Sequence, residues 1–217
     1  MIKIAKGSKW WIISSFFAAI IFLVIYLIFF KQIFSAVVLL VSVLLFLNTV
    51  FFLIFFRDPD RKVGLGFVAV ADGRIREISK VDDKDIGKSI LISTFMNIYD
   101  VHVNRAPVRG TVEEIMHISG IHLPAFKKES EKNERVAIIF DTTIGKIKII
   151  QIAGTIARRI VPYIKSGDKI NKGDRIGIIR LGSRVDVYVP FKKIKNLNVE
   201  VKDRVKAGES IIAEIND

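Results

Sequence analysis

The sequence predicts a β-rich (α+β) soluble domain preceded by an N-terminal transmembrane helical hairpin. Two uncharged apolar runs lie at residues 10–30 and 34–56. The rest of the chain alternates short strand-like runs with Gly, Asp and Asn, and one turn-and-strand unit occurs twice. We therefore expect a membrane anchor over residues 1–62 and one domain with barrel-sandwich-like duplicated hairpins over residues 63–217.

Each apolar run is long enough to cross a bilayer. The first reads WWIISSFFAAIIFLVIYLIFF and the second FSAVVLLVSVLLFLNTVFFLIFF. At about 1.5 Å per residue, a helix of about 20 residues spans the roughly 30 Å hydrocarbon core. A cleaved signal peptide fits the first run poorly, because the run is long, no small-residue cleavage site follows it, and a second run comes directly after it.

The flanking charges predict the orientation of this hairpin. Basic residues lie before the first run and after the second, and a single one lies between the runs: Lys3, Lys6 and Lys9; Arg57, Arg61 and Lys62; and Lys31. Because cytoplasmic flanks are enriched in Lys and Arg, both termini and the whole soluble domain are expected on the cytoplasmic side of the cell membrane.

The chain is strongly basic, with a formal net charge of +12, and it contains no cysteine. Its basic residues are interspersed with acidic ones and form no basic stripe interleaved with aromatic residues, so we expect no nucleic-acid partner. Attraction to an anionic membrane surface explains the charge of a domain tethered there. We therefore expect the membrane as a partner.

The soluble domain reads as mostly strand. Strands are predicted at 67–71, 89–94, 108–118, 136–141, 146–152, 176–179, 185–189 and 210–215, and helices only at 126–133 and 157–161. The close spacing of the turn residues favours an all-β or β-rich sandwich over βαβ units.

One decapeptide occurs twice in the domain. GDKINKGDRI, at residues 167–176, matches KDRVKAGESI, at residues 202–211. Both copies read as a turn, an apolar residue, a second turn with Gly, and an apolar strand. The pair resembles the barrel-sandwich of biotinyl and lipoyl domains, but the carrier lysine motif of those domains is missing. A biotin or lipoate carrier is therefore not expected.

Few side chains are suited to acid–base chemistry. The histidines are His102, His117 and His122, and their spacing is not that of a metal site, so no metal is expected. A lone histidine is most often structural or on the surface. Asp72 precedes Gly73, and an Asp-Gly pair usually marks a turn.

The Gly182-Ser183 bond has two interpretations. It lies between two apolar strand-like runs, and Gly-Ser is a common turn dipeptide. A strained Gly-Ser bond, however, can be cleaved by its own serine hydroxyl, which attacks the preceding carbonyl and leaves a pyruvoyl group after elimination.

Several strings together resemble the phosphatidylserine decarboxylase proenzyme family in its short archaeal or bacterial form. They are FRDPDR at 56–61, ADG at 71–73, DVHVNRAP at 100–107, NER at 133–135, Gly154 and LGS at 181–183. Their order and spacing match over about residues 55–190. The resemblance implies a carboxy-lyase that acts on phosphatidylserine or on its archaeal ether analogue.

The resemblance also implies a mechanism. Asp72 would orient His102, and His102 would act as the general base that takes the proton from Ser183. Cleavage between Gly182 and Ser183 would give a β chain, 1–182, and an α chain, 183–217, which starts with the pyruvoyl cofactor. The pyruvoyl carbonyl would then form a Schiff base with the serine-headed phospholipid. A homodimer is a further implication.

The chain departs from the family pattern at Arg105, where longer members carry a second histidine. His102 then serves both cleavage and decarboxylation, or His117 substitutes in one of these steps. Arg105, His117 and His122 are the candidate substrate-binding residues. Two alternatives remain open: a membrane-anchored, non-catalytic barrel-sandwich adaptor, and an inactive relative that stays a single chain.

Overall fold

A computed structural model describes residues 3–32, 34–121, 132–154, 159–180 and 183–216, with only the backbone at Ser183. The chain divides into two compact units, Met1–Pro59 and Asp60–Asp217.

The first unit is a hairpin of two apolar helices, as predicted. Helix α1 spans Lys9–Phe29 and helix α2 spans Ser35–Phe55, with mean hydropathies of 2.8 and 2.9 over their most apolar windows. Polar side chains join the two helices: Ser42 Oγ donates to the carbonyl of Ala19 at 2.8 Å, and Thr49 Oγ1 donates to Ser15 Oγ at 3.0 Å. Such hydrogen bonds hold apolar helices together where lipid supplies no hydrophobic drive. By length and composition, both helices could cross a membrane.

The second unit is built from short strands, as expected for a β-rich domain. They are β1 (Phe67–Val68), β2 (Gly73–Asp83), β3 (Gly87–Met96), β4 (Val103–Arg105), β5 (Gly110–Ile118), β6 (Arg135–Thr142), β7 (Gly145–Ala153), β8 (Arg159–Pro162), β9 (Lys169–Ile170), β10 (Arg175–Arg180), β11 (Ser183–Pro190), β12 (Ile194–Leu197), β13 (Arg204–Val205) and β14 (Ile211–Ile215). A 3-10 turn lies at Phe191–Lys193.

These strands form one long curled sheet and two small ones. The long sheet has the order β13-β2-β3-β11-β7-β6-β5-β9, and the small sheets are β1-β14-β12 and β4-β10-β8. All their strand pairs are antiparallel. Alternate residues of the long sheet face a core of isoleucine, valine and phenylalanine side chains, among them Ile147, Ile149 and Phe140.

The order of the long sheet is palindromic about the pair formed by β7 and β11. Each half consists of a short outer strand, a hairpin and one of the two central strands. The outer strands β13 and β9 pair with the first residues of β2 and β5, so that Val205 faces Gly73 and Ile170 faces Gly110. A bulge follows Ile75 in β2 and its equivalent Val112 in β5. The domain therefore has an internal pseudo-twofold axis.

The predicted sequence repeat is part of this symmetry. Gly173 and Gly208 have φ of 86° and 77°, and their N–H groups bond the carbonyls of Ala106 and Ala69. The equivalent positions Gly167 and Lys202 also have positive φ, 88° and 85°. Lys202 is the sole residue other than glycine with positive φ in the described ranges. The duplicated hairpins are thus confirmed as structural equivalents.

Neither helix predicted for the soluble domain is found where the structure describes its residues. The helix expected at 157–161 is wrong where the structure describes it, because Arg159–Pro162 forms β8 and pairs with β10. In that strand Ile160 is buried and Arg159 is exposed. Such alternation between neighbouring residues is typical of a strand and not of a helix. Of the helix predicted at 126–133, residues 126–131 lie outside the described residues, and Lys132 and Asn133 are not in an α-helix.

Candidate active site

Ser183 lies in the middle of the long sheet, at one end of its central strands. It is the first residue of β11, and its backbone pairs with Met96 at the end of β3 and with Ala153 at the end of β7. Both partners are fully buried. The position is therefore held from both sides, although Leu181 and Gly182, and with them the bond expected to be cleaved, lie outside the described residues.

Asp72 and Gly73 lie at this same end of the sheet, where β2 begins. A Cβ on Gly73 would lie 2.1 Å from the carbonyl oxygen of Phe95 and 3.3 Å from Cα of Met96. No side chain fits there, and Gly73 also has a φ of 150°, which other residues rarely adopt. Gly73 thus places the backbone of Asp72 next to the strand that pairs with Ser183.

The carboxylate of Asp72 is held by two donors. Arg61 Nη2 donates to Oδ2 at 2.7 Å, and the backbone N–H of Ala207 donates to Oδ1 at 2.8 Å. The side chains of Asp72 and Arg61 are 11% and 6% exposed. Burial raises the pKa of the Asp72 carboxyl above its usual range, while Arg61 and the Ala207 hydrogen bond oppose that rise.

His102 lies directly before β4 and has no solvent exposure. Its Nδ1 is 2.8 Å from the backbone oxygen of Asp100. Because a carbonyl can only accept, Nδ1 carries the proton of this hydrogen bond, and a neutral ring then has its lone pair on Nε2. The carbonyl of His102 accepts from Ile179 of β10, near the end of the strand that precedes Ser183.

Asp100 connects these two residues and was not singled out by the sequence analysis. Its carboxylate accepts from the N–H of Asn97 at 2.8 Å and lies 3.4 Å from Arg204 Nη2. Its backbone holds His102, and its charge adds a smaller upward contribution to the pKa of Asp72. The signal was present, since Asp100 begins the DVHVNRAP string.

Buried amide side chains lie next to the backbone partners of Ser183. Gln151 Nε2 donates to Asn104 Oδ1 at 2.6 Å, and Asn104 Nδ2 lies 3.8 Å from the sulfur of Met96. Asn133 Nδ2 donates to the carbonyl of Ala153 at 2.7 Å. Met96 and Ala153 are the backbone partners of Ser183, so these amides support both sides of that position.

The predicted site residues therefore fall into two groups. The backbones of Asp72, His102 and Ser183 converge on one region. There the carboxylate of Asp72 accepts from Arg61 and Ala207, and Nδ1 of His102 contacts the carbonyl of Asp100. The orienting role of Asp72 stays a prediction.

The predicted substrate-binding residues are placed differently. Arg105 is 6% exposed and donates to the carbonyl of Gly173 at 2.9 Å. His117 is half exposed and lies 3.0 Å from Glu134 Oε1, at the end of β5. His122 lies outside the described residues. Within the described ranges, no group of three or more His, Asp or Glu residues could hold a metal ion.

Comparison with known proteins identifies related sequences. The phosphatidylserine decarboxylase family profile matches residues 48–213. The chain is 50% identical over 157 residues to the phosphatidylserine decarboxylase proenzymes of Streptomyces avermitilis and Thermobifida fusca, covering 72% of this chain and 70% of each relative. It is 41% identical over 215 residues to the "Putative archaetidylserine decarboxylase proenzyme" of Methanosarcina barkeri, covering 98% of both.

The profile spans every strand except the last two residues of β14, and it includes Asp72, His102 and Ser183. The chain therefore belongs to the phosphatidylserine decarboxylase family and is a carboxy-lyase.

Proposed function

We propose that this chain is a proenzyme that cleaves itself between Gly182 and Ser183 and then decarboxylates a serine phospholipid through a pyruvoyl group formed from Ser183. The observation that supports this most directly is the position of Ser183 at the start of a central strand, beside the region shared by Asp72 and His102. The family match and the word proenzyme in the names of its relatives support it independently.

The fold is suited to survive this cleavage. The fragment 183–217 would contribute β11, β12, β13 and β14, and β11 is hydrogen-bonded to β3 on one side and to β7 on the other. Val185, Val187 and Val189 of β11 belong to the buried core. An α chain beginning at position 183 would thus stay bound by hydrogen bonds to β3 and β7 and by apolar burial. Its new terminus would lie at the end of these central strands.

We assign the proton transfers to His102. Its Nδ1–H is fixed by the carbonyl of Asp100, so Nε2 is the nitrogen that accepts the Ser183 proton during cleavage. Asp72 supplies a buried carboxylate in the same region of the domain, and its negative charge would favour the protonated imidazole once the proton has moved. Arg61 opposes the rise that burial causes in the pKa of that carboxyl.

In the mature enzyme, the pyruvoyl carbonyl supplies the electron sink that decarboxylation of an amino acid head group requires. This chain's residues position the group: the β11 backbone holds its attachment point, and the buried amides of Asn104, Gln151 and Asn133 hold the neighbouring strands. His102 is available to return a proton to the product. A metal ion has no role in this scheme.

The membrane hairpin fits a lipid substrate. A diacyl or diether lipid leaves the bilayer reluctantly, because each buried CH₂ contributes about 0.8 kcal/mol. We propose that α1 and α2 anchor the enzyme in the cell membrane with the catalytic domain on the cytoplasmic side. The two groups of relatives act, by their names, on phosphatidylserine and on archaetidylserine, so ester and ether lipids are both candidates. A homodimer is proposed from the family resemblance alone.

Intact mass spectrometry of the purified full chain tests the cleavage. A 183–217 fragment lighter by one ammonia than simple hydrolysis would give is expected, together with a 1–182 fragment. Ser183→Ala should remain a single chain of full mass. An uncut wild-type chain under folding conditions would contradict the proposal and favour the adaptor or the inactive relative. Incubation of the cleaved enzyme with phosphatidylserine and with archaetidylserine then identifies the substrate by carbon dioxide release.

A further inference from the structure

The pseudo-twofold axis relates the region around Asp72 to an equivalent region in the other half of the domain. In one half, Asp72 precedes Gly73 at the start of β2. In the other half, Arg109 precedes Gly110 at the start of β5, and Gly110 occupies the same place in the ladders as Gly73. A cationic residue therefore stands at the position that the candidate active site gives to a carboxylate.

The position of Ser183 has an equivalent as well. Met96 ends β3 and pairs with Ser183, and Thr142 ends β6 and pairs with Gly145. Gly145 is the second half's counterpart of Ser183, so this half contains no serine to cleave. The connection between Thr142 and Gly145 is a tight turn, in which Thr142 Oγ1 donates to the carbonyl of Gly145 at 2.6 Å.

A cavity of about 580 Å³ opens at the equivalent end of this half. We call it the Arg109 cleft and define it by six of its polar and charged lining residues: Arg109, Thr111, Asp141, Thr143, Lys169 and Asn171. Thr111 of β5 lies opposite Lys169 of β9, and Arg109 directly precedes β5. Both cations line the same cavity.

The cations of the Arg109 cleft differ from those of the first half in their partners. Arg61 and Arg204 contact Asp72 and Asp100 there. Across the described ranges, neither Arg109 nor Lys169 has a side-chain hydrogen bond or an ion pair. Asp141 is the one acid in the lining, and its charge acts on Lys146, itself 2.6 Å from Glu113. The lining thus has one more positive than negative charge.

We propose that the Arg109 cleft is a non-catalytic site that binds a phosphate group, carried either by an anionic lipid head group or by free inorganic phosphate. Arg109 supplies a planar fork of donors for phosphate oxygens, Lys169 a second cation, and Thr111, Thr143 and Asn171 neutral donors. The cavity is large enough for a phosphodiester head group. The proposal does not depend on cleavage at Ser183.

Two binding measurements on the full wild-type chain in neutral detergent test this. Equilibrium dialysis with radiolabelled inorganic phosphate measures free-phosphate binding. Native mass spectrometry in the presence of phosphatidylglycerol or phosphatidylcholine measures retention of an anionic against a zwitterionic lipid. The test variant is Arg109→Gln/Lys169→Gln. Its control, Lys88→Gln/Lys192→Gln, removes the same charge from two exposed lysines elsewhere.

The expected result is saturable binding of about one anion per chain in at least one measurement, weakened about tenfold or more in the test variant and within twofold of wild type in the control. Preference for phosphatidylglycerol over phosphatidylcholine identifies the head group as the source, and saturation by inorganic phosphate alone identifies the free ion. Equal losses in the two double variants, or no saturable binding in either measurement, would overturn the proposal. Unchanged cleavage at Ser183 in the test variant would separate this site from the proposed catalytic function.

Discussion

Arg61 and Asp72 form a nearly buried ion pair, with Nη2 and Oδ2 2.7 Å apart. The pair lies at the end of the sheet where Ser183 begins β11. The two residues come from different strings, FRDPDR and ADG, and meet only in the folded domain. A buried carboxylate without its cation is costly, so the pair controls whether Asp72 is charged at a given pH.

Replacing Arg61 by glutamine should move the pH dependence of self-cleavage. Burial raises the pKa of the Asp72 carboxyl, and Arg61 opposes that rise, so its loss leaves burial less opposed. If the charged carboxylate supports cleavage, the acid limb of the rate profile shifts to higher pH. The measurement is the rate of appearance of the 183–217 fragment from pH 4 to 9. A lower rate with an unmoved acid limb would show that Arg61 is structural only.

The same raised pKa has a consequence for stability. A carboxyl whose pKa is higher in the folded than in the unfolded state contributes stability below the unfolded value, near 3.8, and loses it as pH rises through the folded value. Relative to Asp72→Asn, the wild type should therefore lose stability as pH increases from about 4. Denaturant unfolding at several pH values measures this difference. A difference that grows in the opposite direction would contradict the raised pKa.

Gly73→Ala should disrupt the end of the sheet at Ser183. The added Cβ would lie 2.1 Å from the Phe95 carbonyl, at a φ of 150° that alanine rarely adopts. We expect a loss of at least about 2 kcal/mol in the free energy of unfolding, together with slower cleavage. Gly87→Ala is the matched control, because its φ of 77° carries strain but nothing lies within 4 Å of the added atom. It should cost about 1 kcal/mol and leave cleavage unchanged.

Lys148→Met should destabilise the domain strongly. Lys148 is 4% exposed and contacts both Asp83 and Asp85 across the sheet. Removing the cation leaves the half-buried Asp83 and Asp85 without it, at a cost of about 1–3 kcal/mol, whereas Lys148→Met/Asp83→Asn/Asp85→Asn should recover most of that loss. Chemical denaturation of the three proteins makes the comparison. Equal losses in the single and triple variants would mean that packing of the lysine stem, not charge, accounts for the effect.

Arg105→Ala separates two roles for that residue. Its guanidinium is buried and donates to the carbonyl of Gly173, so truncation should lower stability by about 1–3 kcal/mol. A role in binding the lipid phosphate or carboxylate predicts in addition a raised KM in the fraction of enzyme that folds and cleaves. Stability, KM and kcat should be measured on the same preparation. Normal KM and turnover would leave Arg105 with a structural role only.

The local patterns of this sequence were sufficient for its helical hairpin and for the strand-rich character of its domain. An uncharged run of this length has few soluble alternatives, and alternation with turn residues is a local signal. The duplicated turn was visible too, because Lys169 and Arg204 are 35 residues apart, as are Gly173 and Gly208. The motif strings likewise carried the family resemblance without any structure.

Only the tertiary structure revealed the full symmetry and the contacts of the site. Gly73 and Gly110 are 37 residues apart, whereas the equivalent Met96 and Thr142 are 46 apart, so no single period marks the two halves. Strand pairing made residues 157–161 a poor helix, because Arg159–Pro162 completes the edge of a small sheet. The bond from Arg61 to Asp72 and the lining of the Arg109 cleft arise because paired strands bring separate parts of the chain together. Register is set by burial across the whole sheet, which no local pattern encodes.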